Sequence, residues 1–268
     1  MNAATLAGPL RFEGVGLHTG AAAAMEIRPA QPGAGIAFEV DGTEIPAVAE
    51  YASESPLATV IGRNGTTIST IEHVLSALLA TGVSDARIEL DGPEVPILDG
   101  SARPYVEAIE RAGLIAFDVA RPVFAPEDAL EFRDGDRAVI VLPSSAFRVR
   151  FFGDYPAPIG THYYDAAITP QTYRDEIAPA RTFAFLRDVE AMRARGLARG
   201  GSLENALVYD DAGPMQALRW PNEVARHKVL DLIGDFALLG AWPQCDVIAI
   251  KSGHAMHARV TSELRNRG

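Results

Sequence analysis

Apolar positions in the first hundred residues recur at alternate places over short stretches broken by turn residues, the pattern of half-buried strands. It predicts strands at 24–28, 35–40 and 58–61, with Asn64-Gly65 as a hairpin turn, and a further strand at 86–90 ending at Asp91-Gly92-Pro93. Elsewhere the period lengthens to that of a helix, from about 69 to 79 and from about 103 to 112, where Gly113 stops it. Residues 117–126 hold two prolines and little periodicity and read as a linker. Strands resume at 138–142 and 147–152, and 153–179, rich in Tyr, Pro and Gly, is expected to be irregular. Helices are predicted at about 187–195 and 222–239, and a strand at 247–250 leads into Lys251-Ser252-Gly253-His254.

The pattern contains an echo. Ala77-Leu78-Leu79 with strand 87–90 aligns without gaps on Ala237-Leu238-Leu239 with strand 247–250. A helix end, a turn of equal length and a buried strand recur, which with the central linker favours two related α+β halves facing one another. A site between such halves would draw residues from both.

Segment 222–239 carries the most chemistry. At about 100° per residue, Val229, Leu230, Leu232, Ile233 and Phe236 gather on a core face, and His227, Lys228, Asp231 and Asp235 fall opposite. His227 and Asp231, four residues apart, can reach one point in space. That spacing alone more often marks a solvated face, and it supplies two ligands where a catalytic zinc site takes three from the protein and leaves one position for water. In helix 69–79, Ile71, Val74, Leu75 and Leu78 form the apolar stripe and His73 lies off it, either as a surface imidazole or as the missing ligand. Glu72 also has two competing readings. It can close a Ser69-Thr70-Ile71-Glu72 capping box, or it can take a proton from water at a metal. His254 follows a strand, where Gly253 allows a close backbone approach, a common place for reactive groups.

Composition narrows the class. The 268 residues suffice for one large or two modest domains. A net charge of −11 argues against a general nucleic-acid binder, which needs a basic face, although a local Lys/Arg cluster can still take a small anion. The single Cys245 excludes an intrachain disulfide and a cysteine-based metal site. Residues 1–10 lack a signal-peptide pattern, and no run approaches about 18 apolar residues. The expectation is a cytoplasmic, monomeric globular protein without stable membrane insertion.

Seven segments in order then resemble one family. They are Gly14-Val15-Gly16-Leu17-His18-Thr19-Gly20, Ser69-Thr70-Ile71-Glu72-His73, the run Pro93 to Ser101, Arg181-Thr182-Phe183-Ala184-Phe185, Gly200-Gly201-Ser202, Arg226-His227-Lys228-Val229-Leu230-Asp231 and Lys251-Ser252-Gly253-His254. Together they are similar to UDP-3-O-acyl-N-acetylglucosamine deacetylases of lipid A synthesis in Gram-negative bacteria, and the resemblance spans 14–254. It implies an α+β fold of two topologically similar two-layer sandwich domains, helices packed face to face. The domains would be 1–119 and 126–268, with small inserts near 37–61 and 185–207.

The resemblance also implies roles. His73, His227 and Asp231 would bind zinc, with iron(II) as the alternative, and Glu72 would be the general base. His254 would protonate the departing amine or steady the oxyanion, Thr182 would hydrogen-bond that oxyanion, and Asp235 would orient the catalytic histidine. Phe183 and Lys228 would contact the UDP of an acylated amino sugar, with Lys251 a further phosphate contact. Val189, Met192, Leu197, Ala198, Ala206 and Val208 would line an acyl passage, or simply pack a small helix on two strands. Three features depart from the family: a short C-terminus, His257 where many members have asparagine, and 153–179, which matches no motif. Two other functions fit the same residues less well, a catalytically silent nucleotide-sugar or acyl binder and an amidohydrolase for a different acylated amino sugar.

Overall fold

Alternation places Met25 and Ile27, Ile88 and Leu90, and Val247 and Ala249 on buried sheet faces, and the strands carrying them lie inside two five-stranded sheets. The structure, a computed structural model, describes residues 1–267. The first half contains β1 (Asn2–Leu6), β2 (Leu10–Val15), β3 (Ala22–Pro29), β4 (Ile36–Val40), β5 (Thr43–Pro46), β6 (Ala52–Ser53), β7 (Val60–Arg63), β8 (Thr66–Ser69), β9 (Ala86–Leu90) and β10 (Leu114–Ala120). Its helices are α1 (Glu72–Thr81) and α2 (Arg103–Ala112). The second half contains β11 (Val123–Phe124), β12 (Leu130–Asp134), β13 (Arg137–Pro143), β14 (Arg148–Asp154), β15 (Thr161–Ala167), β16 (Phe183–Phe185), β17 (Leu207–Asp210), β18 (Gly213–Pro214), β19 (Trp242–Pro243) and β20 (Cys245–Ile250). Its helices are α3 (Pro170–Thr172), α4 (Leu186–Ala194), α5 (Glu223–Phe236) and α6 (His254–Arg265).

The two sheets share one topology. Their orders are β2-β3-β9-β4-β5 and β12-β13-β20-β14-β15. In each, a central strand runs antiparallel to one hairpin and parallel to the other. The strands of the echo match in topology but not in phase: Ile88 is buried opposite Ile27 and Phe38, whereas Ile248 lies on the other sheet face opposite Ile140 and Arg150, and its neighbours Val247 and Ala249 are the buried ones. Helices α1 and α5 pack on one another between the sheets, and residues of both halves join a single large core. Gly234 permits this. A Cβ there would lie 2.1 Å from the carbonyl oxygen of Glu72, so the two backbones touch without a side chain between them.

Several expectations are corrected. The helix predicted from residue 69 starts at Glu72, because Ser69 ends β8 and Thr70 turns through φ 60°. The capping box is therefore absent, and the helix start has no side-chain cap. In the expected first insert near 37–61, β4 and β5 belong to the main sheet, and the separate small sheet is β6-β7-β8, closed by the Asn64-Gly65 turn with φ of 53° and 85°. The linker assigned to 117–126 is mostly strand, since β10 returns to pair with β1 and β11 pairs with β19. Within 153–179, β15 forms the edge of the second sheet, with Tyr164 and Ala166 buried, and Tyr173–Ile177 makes a π-helical turn. Turn residues on either side hid that strand. The second small sheet, β16-β17-β18, carries α4. Among the described residues no helix is long and apolar enough to cross a membrane.

Candidate metal centre

The polar side of α5 is buried: His227, Asp231 and Asp235 are each at most 2% exposed. A solvated face is thereby ruled out. The amphipathic pattern was right about the core face, but the opposite face meets α1 instead of water. His73 on α1 is equally enclosed.

His73 Nε2 lies 3.7 Å and His227 Nε2 3.3 Å from Asp231 Oδ1. His227 Nδ1–H donates to the Ala180 carbonyl at 3.0 Å, so its Nε2 presents a lone pair. Burial lowers the pKa of both imidazoles, that of His73 to about 3 with His227 beside it adding to the effect, and both are neutral. Asp231 Oδ1 is buried without a hydrogen-bond partner among the described residues. Its Oδ2 accepts from Lys228 Nζ at 2.6 Å. Burial alone would raise the Asp231 pKa, but His227, Lys228 and His254 outweigh it and hold it far below the carboxylate range. With His73 neutral and turning the lone pair of its Nε2 inward, three electron-pair donors converge on one point, an arrangement that repels itself unless a cation sits there. Ligands at about 2.1 Å around a tetrahedral ion would be roughly 3.4 Å apart, close to these separations. The residues fit a metal.

Beside them stands a second polar group. Glu72, pushed up to about 7 by burial despite the nearby His254, accepts the Thr59 backbone N–H on Oε2 at 2.9 Å. Its Oε1 lies 4.0 Å from His254 Nε2. Burial would lower the pKa of His254, but Asp235 and Asp231 carry it up to about 9, so the ring is cationic near neutral pH. His254 Nδ1–H donates to Asp235 Oδ2 at 2.9 Å and leaves Nε2 3.6 Å from Asp231 Oδ2. Asp235, held down to about 2 by His254 and His257 against its burial, also accepts from His257 Nδ1 at 2.6 Å and from the Thr59 hydroxyl.

Thr59 was missed by sequence reasoning, since a lone threonine before a strand carries no signal. It hydrogen-bonds both Glu72 and Asp235 from the start of the small first sheet. His257 was noted only as a departure, yet Ser252 Oγ meets its Nε2 at 2.8 Å and keeps it as a donor to Asp235.

The remaining motifs brace the site. Glu94 accepts hydrogen bonds from His18 N, Thr19 N, Thr19 Oγ1 and Thr70 Oγ1, which ties the Gly14–Gly20 loop to the turn before α1. Gly100 O receives the Thr182 N–H at 2.8 Å, and the buried Glu223 receives Arg181, fixing the Thr182-Phe183 segment from both sides.

Two cavities meet at Phe183, which lines both. A polar one of about 480 Å³ contains Tyr155, Lys228, Lys251 and His254. Lys251 there is paired with Asp136 and Asp154, each at 3.0 Å, so an incoming anion must displace carboxylates from it. An apolar one of about 340 Å³ runs past Thr182 between α4 and β17, with Val189, Met192, Ala198, Ala206 and Val208 in its wall. Leu197 is absent from that wall. The Gly200 N–H donates to Leu17 O, closing the cavity against the first half.

Comparison with known proteins follows the same residues. The family described as LpxC, UDP-3-O-acyl N-acetylglycosamine deacetylase, matches residues 3–266. A UDP-3-O-acyl-N-acetylglucosamine deacetylase of Anaeromyxobacter dehalogenans is 41% identical over 98% of this chain and 87% of its own length. Those of Syntrophotalea carbinolica and Geotalea uraniireducens are 42% and 41% identical, over 97% and 98% of this chain and 86% and 88% of theirs. With the match running almost end to end and both halves of the site intact, the chain belongs to the LpxC family of deacetylases, hydrolases of an N-acetyl amide bond.

Proposed function

We propose that this chain hydrolyses the acetamide of UDP-3-O-acyl-N-acetylglucosamine to acetate and UDP-3-O-acyl-glucosamine, the committed step of lipid A synthesis, with zinc held by His73, His227 and Asp231. The observation that carries the reading is the buried convergence of two neutral imidazole nitrogens and the unpartnered Asp231 Oδ1 between Glu72 and His254. Two histidines and a carboxylate also suit iron(II), but the order of divalent affinities favours zinc. Bound there, zinc supplies a Lewis acid that polarises the amide carbonyl and lowers the pKa of water towards neutrality.

The chain's own groups do the rest. Thr59 N–H holds Oε2 of Glu72 and leaves Oε1 to take the proton of the attacking water. His254, its Nδ1 fixed on Asp235, keeps its Nε2 proton for the departing nitrogen. The Thr182 hydroxyl, at the mouth of the apolar cavity, donates to the developing oxyanion. The polar cavity with Lys228 and Lys251 takes the UDP and the apolar one takes the acyl chain, with Phe183 between them. A single nucleotide, not a nucleic acid, matches one polar cavity in a chain of net charge −11.

The decisive assay is acetate release from UDP-3-O-acyl-N-acetylglucosamine beside metal analysis of the wild type, His73→Ala and Asp231→Ala. Turnover with stoichiometric zinc, lost in both variants, is expected. Unchanged metal in both would remove the ligand assignment, and equal turnover of an acylated amino sugar without UDP would remove the substrate.

A further inference from the structure

A third cavity, of about 490 Å³, lies at the other end of the central helix pair. It shares no lining residue with the two around Phe183. Leu79 and Ala237, near the C-terminal ends of α1 and α5, form part of its wall, with Val48, Pro122 and Trp242. Six residues separate Leu79 from His73, or about 9 Å along the helix.

Arg121 joins the two halves here, between β10 and β11, and its side chain enters the wall of this cavity. The residue is 5% exposed. Its guanidinium carbon sits 4.6 Å over the Trp242 ring, and its Nε is buried without a partner. Among the described residues no carboxylate pairs with it and no side-chain hydrogen bond uses its donors. Other arginines shielded from solvent are treated differently: Arg181 is spent on Glu223, and Arg219 on Asp99. Stacking on an indole offsets part of the cost of burying the charge but supplies no acceptor. Burial accordingly lowers the Arg121 pKa.

The other charges in the wall are committed. Arg265 holds Glu50 and the Leu239 carbonyl, and Asp85 accepts from Ser84 and Gly35. The helix ends point carbonyls at the cavity, so no free N–H groups at a helix start are on offer. Arg121 is the one uncommitted cation, set in a mostly apolar wall.

We infer that this cavity binds an amphiphilic carboxylate, its head on the Arg121 fork and its apolar body along Leu79 and Trp242. A planar guanidinium matches a carboxylate with two parallel hydrogen bonds, and the apolar wall disfavours a purely hydrophilic anion.

Trp242 is the reporter. With Trp220→Phe as background it is the only tryptophan, and no tryptophan lines the apolar cavity beside Phe183. Sodium octanoate should change Trp242 emission saturably, whereas n-octanol and inorganic phosphate at the same concentrations should not. Arg121→Gln should weaken octanoate at least about tenfold, as loss of a charge-assisted bidentate pair requires. An equal response to octanol, a response to phosphate alone, no saturable response, or octanoate binding unchanged by Arg121→Gln would each overturn the inference. If Arg121→Gln fails to fold, the comparison of octanoate with octanol on the wild-type residue still decides. Acetate release is not read, so failure here and failure of the deacetylase reading are separate.

Discussion

Gly234→Ala is the most exposing test of how the two halves make one site. Within a helix interior this change ordinarily stabilises, by up to about 1 kcal/mol, because glycine has the higher conformational entropy to lose. At Gly234 the new Cβ would lie 2.1 Å from the Glu72 carbonyl oxygen and 2.8 Å from its Cα. Neither neighbour is a flexible side-chain end, so α1 and α5 must separate by about 1.3 Å to reach ordinary contact. Overpacking of that kind costs roughly 1–3 kcal/mol, or about 2–10 °C in Tm for a chain of this size. The residue pushed is Glu72, with His73 next to it, and a displacement near 1 Å costs on the order of 10²-fold in rate. Steady-state acetate release and thermal unfolding of the wild type, Gly234→Ala and Gly8→Ala would measure both effects. Gly8 has nothing within 4 Å of its Cβ position and serves as the neutral control. A Gly234→Ala protein with kcat within twofold of wild type and a raised Tm would refute the backbone contact as what sets Glu72 against α5.

Three further outcomes follow from the site. Thr59→Ala keeps the N–H on Glu72 but removes the hydroxyl from Asp235; kcat should fall about tenfold with KM unchanged, and Thr59→Ser should restore it, whereas an equal defect in both would make Thr59 merely structural. In the proposed reaction His254 acts protonated, and Asp235 is the chief group raising its pKa to about 9 against the pull of burial. Activity should therefore fall as pH rises through about 9, and Asp235→Asn should move that alkaline limb to lower pH; a pH–rate profile with the limb unmoved would exclude this role. Met192→Trp fills the apolar cavity and should cut turnover of long-chain substrates about tenfold or more while sparing short ones, and a loss independent of chain length would place the acyl chain elsewhere.

What could be read in the sequence was what periodicity and local repetition encode. The stripe through Val229, Ile233 and Phe236 marked a core face, and the Leu79/Leu239 echo pointed to two matching sheets. Periodicity reports only that a face differs from the core; it does not say whether water or another helix lies beyond it. His73 and Asp231 therefore looked like surface residues until α1 and α5 were brought together across Gly234. Ser69-Thr70-Ile71-Glu72 met the pattern of a helix cap, but pairing of Ser69 in β8 removed it from the helix and freed Glu72 for Thr59 and His254. Thr59 itself matters only through contacts 13 and 176 residues away, which no local pattern contains.

The doubled fold also accounts for why there is one such centre and not two. The repeat is one of strand order and not of side chains: beside the polar Glu72 and His73 of α1 and His227, Asp231 and Asp235 of α5, the residues Val74, Leu75 and Leu78 of α1 and Leu230, Leu232 and Ile233 of α5 are fully buried aliphatic residues in the common core. Two polar clusters related by the repeat would place a second set of charges inside the same core, and each unpaired buried charge costs several kcal/mol. The repeat supplies two helices able to approach closely, and the aliphatic residues along the rest of both confine the cost of buried charge to the place where a cation can compensate it. That is why His73 and Glu72 come from the start of α1 while His227, Asp231 and Asp235 come from the length of α5, and why neither half holds the site alone.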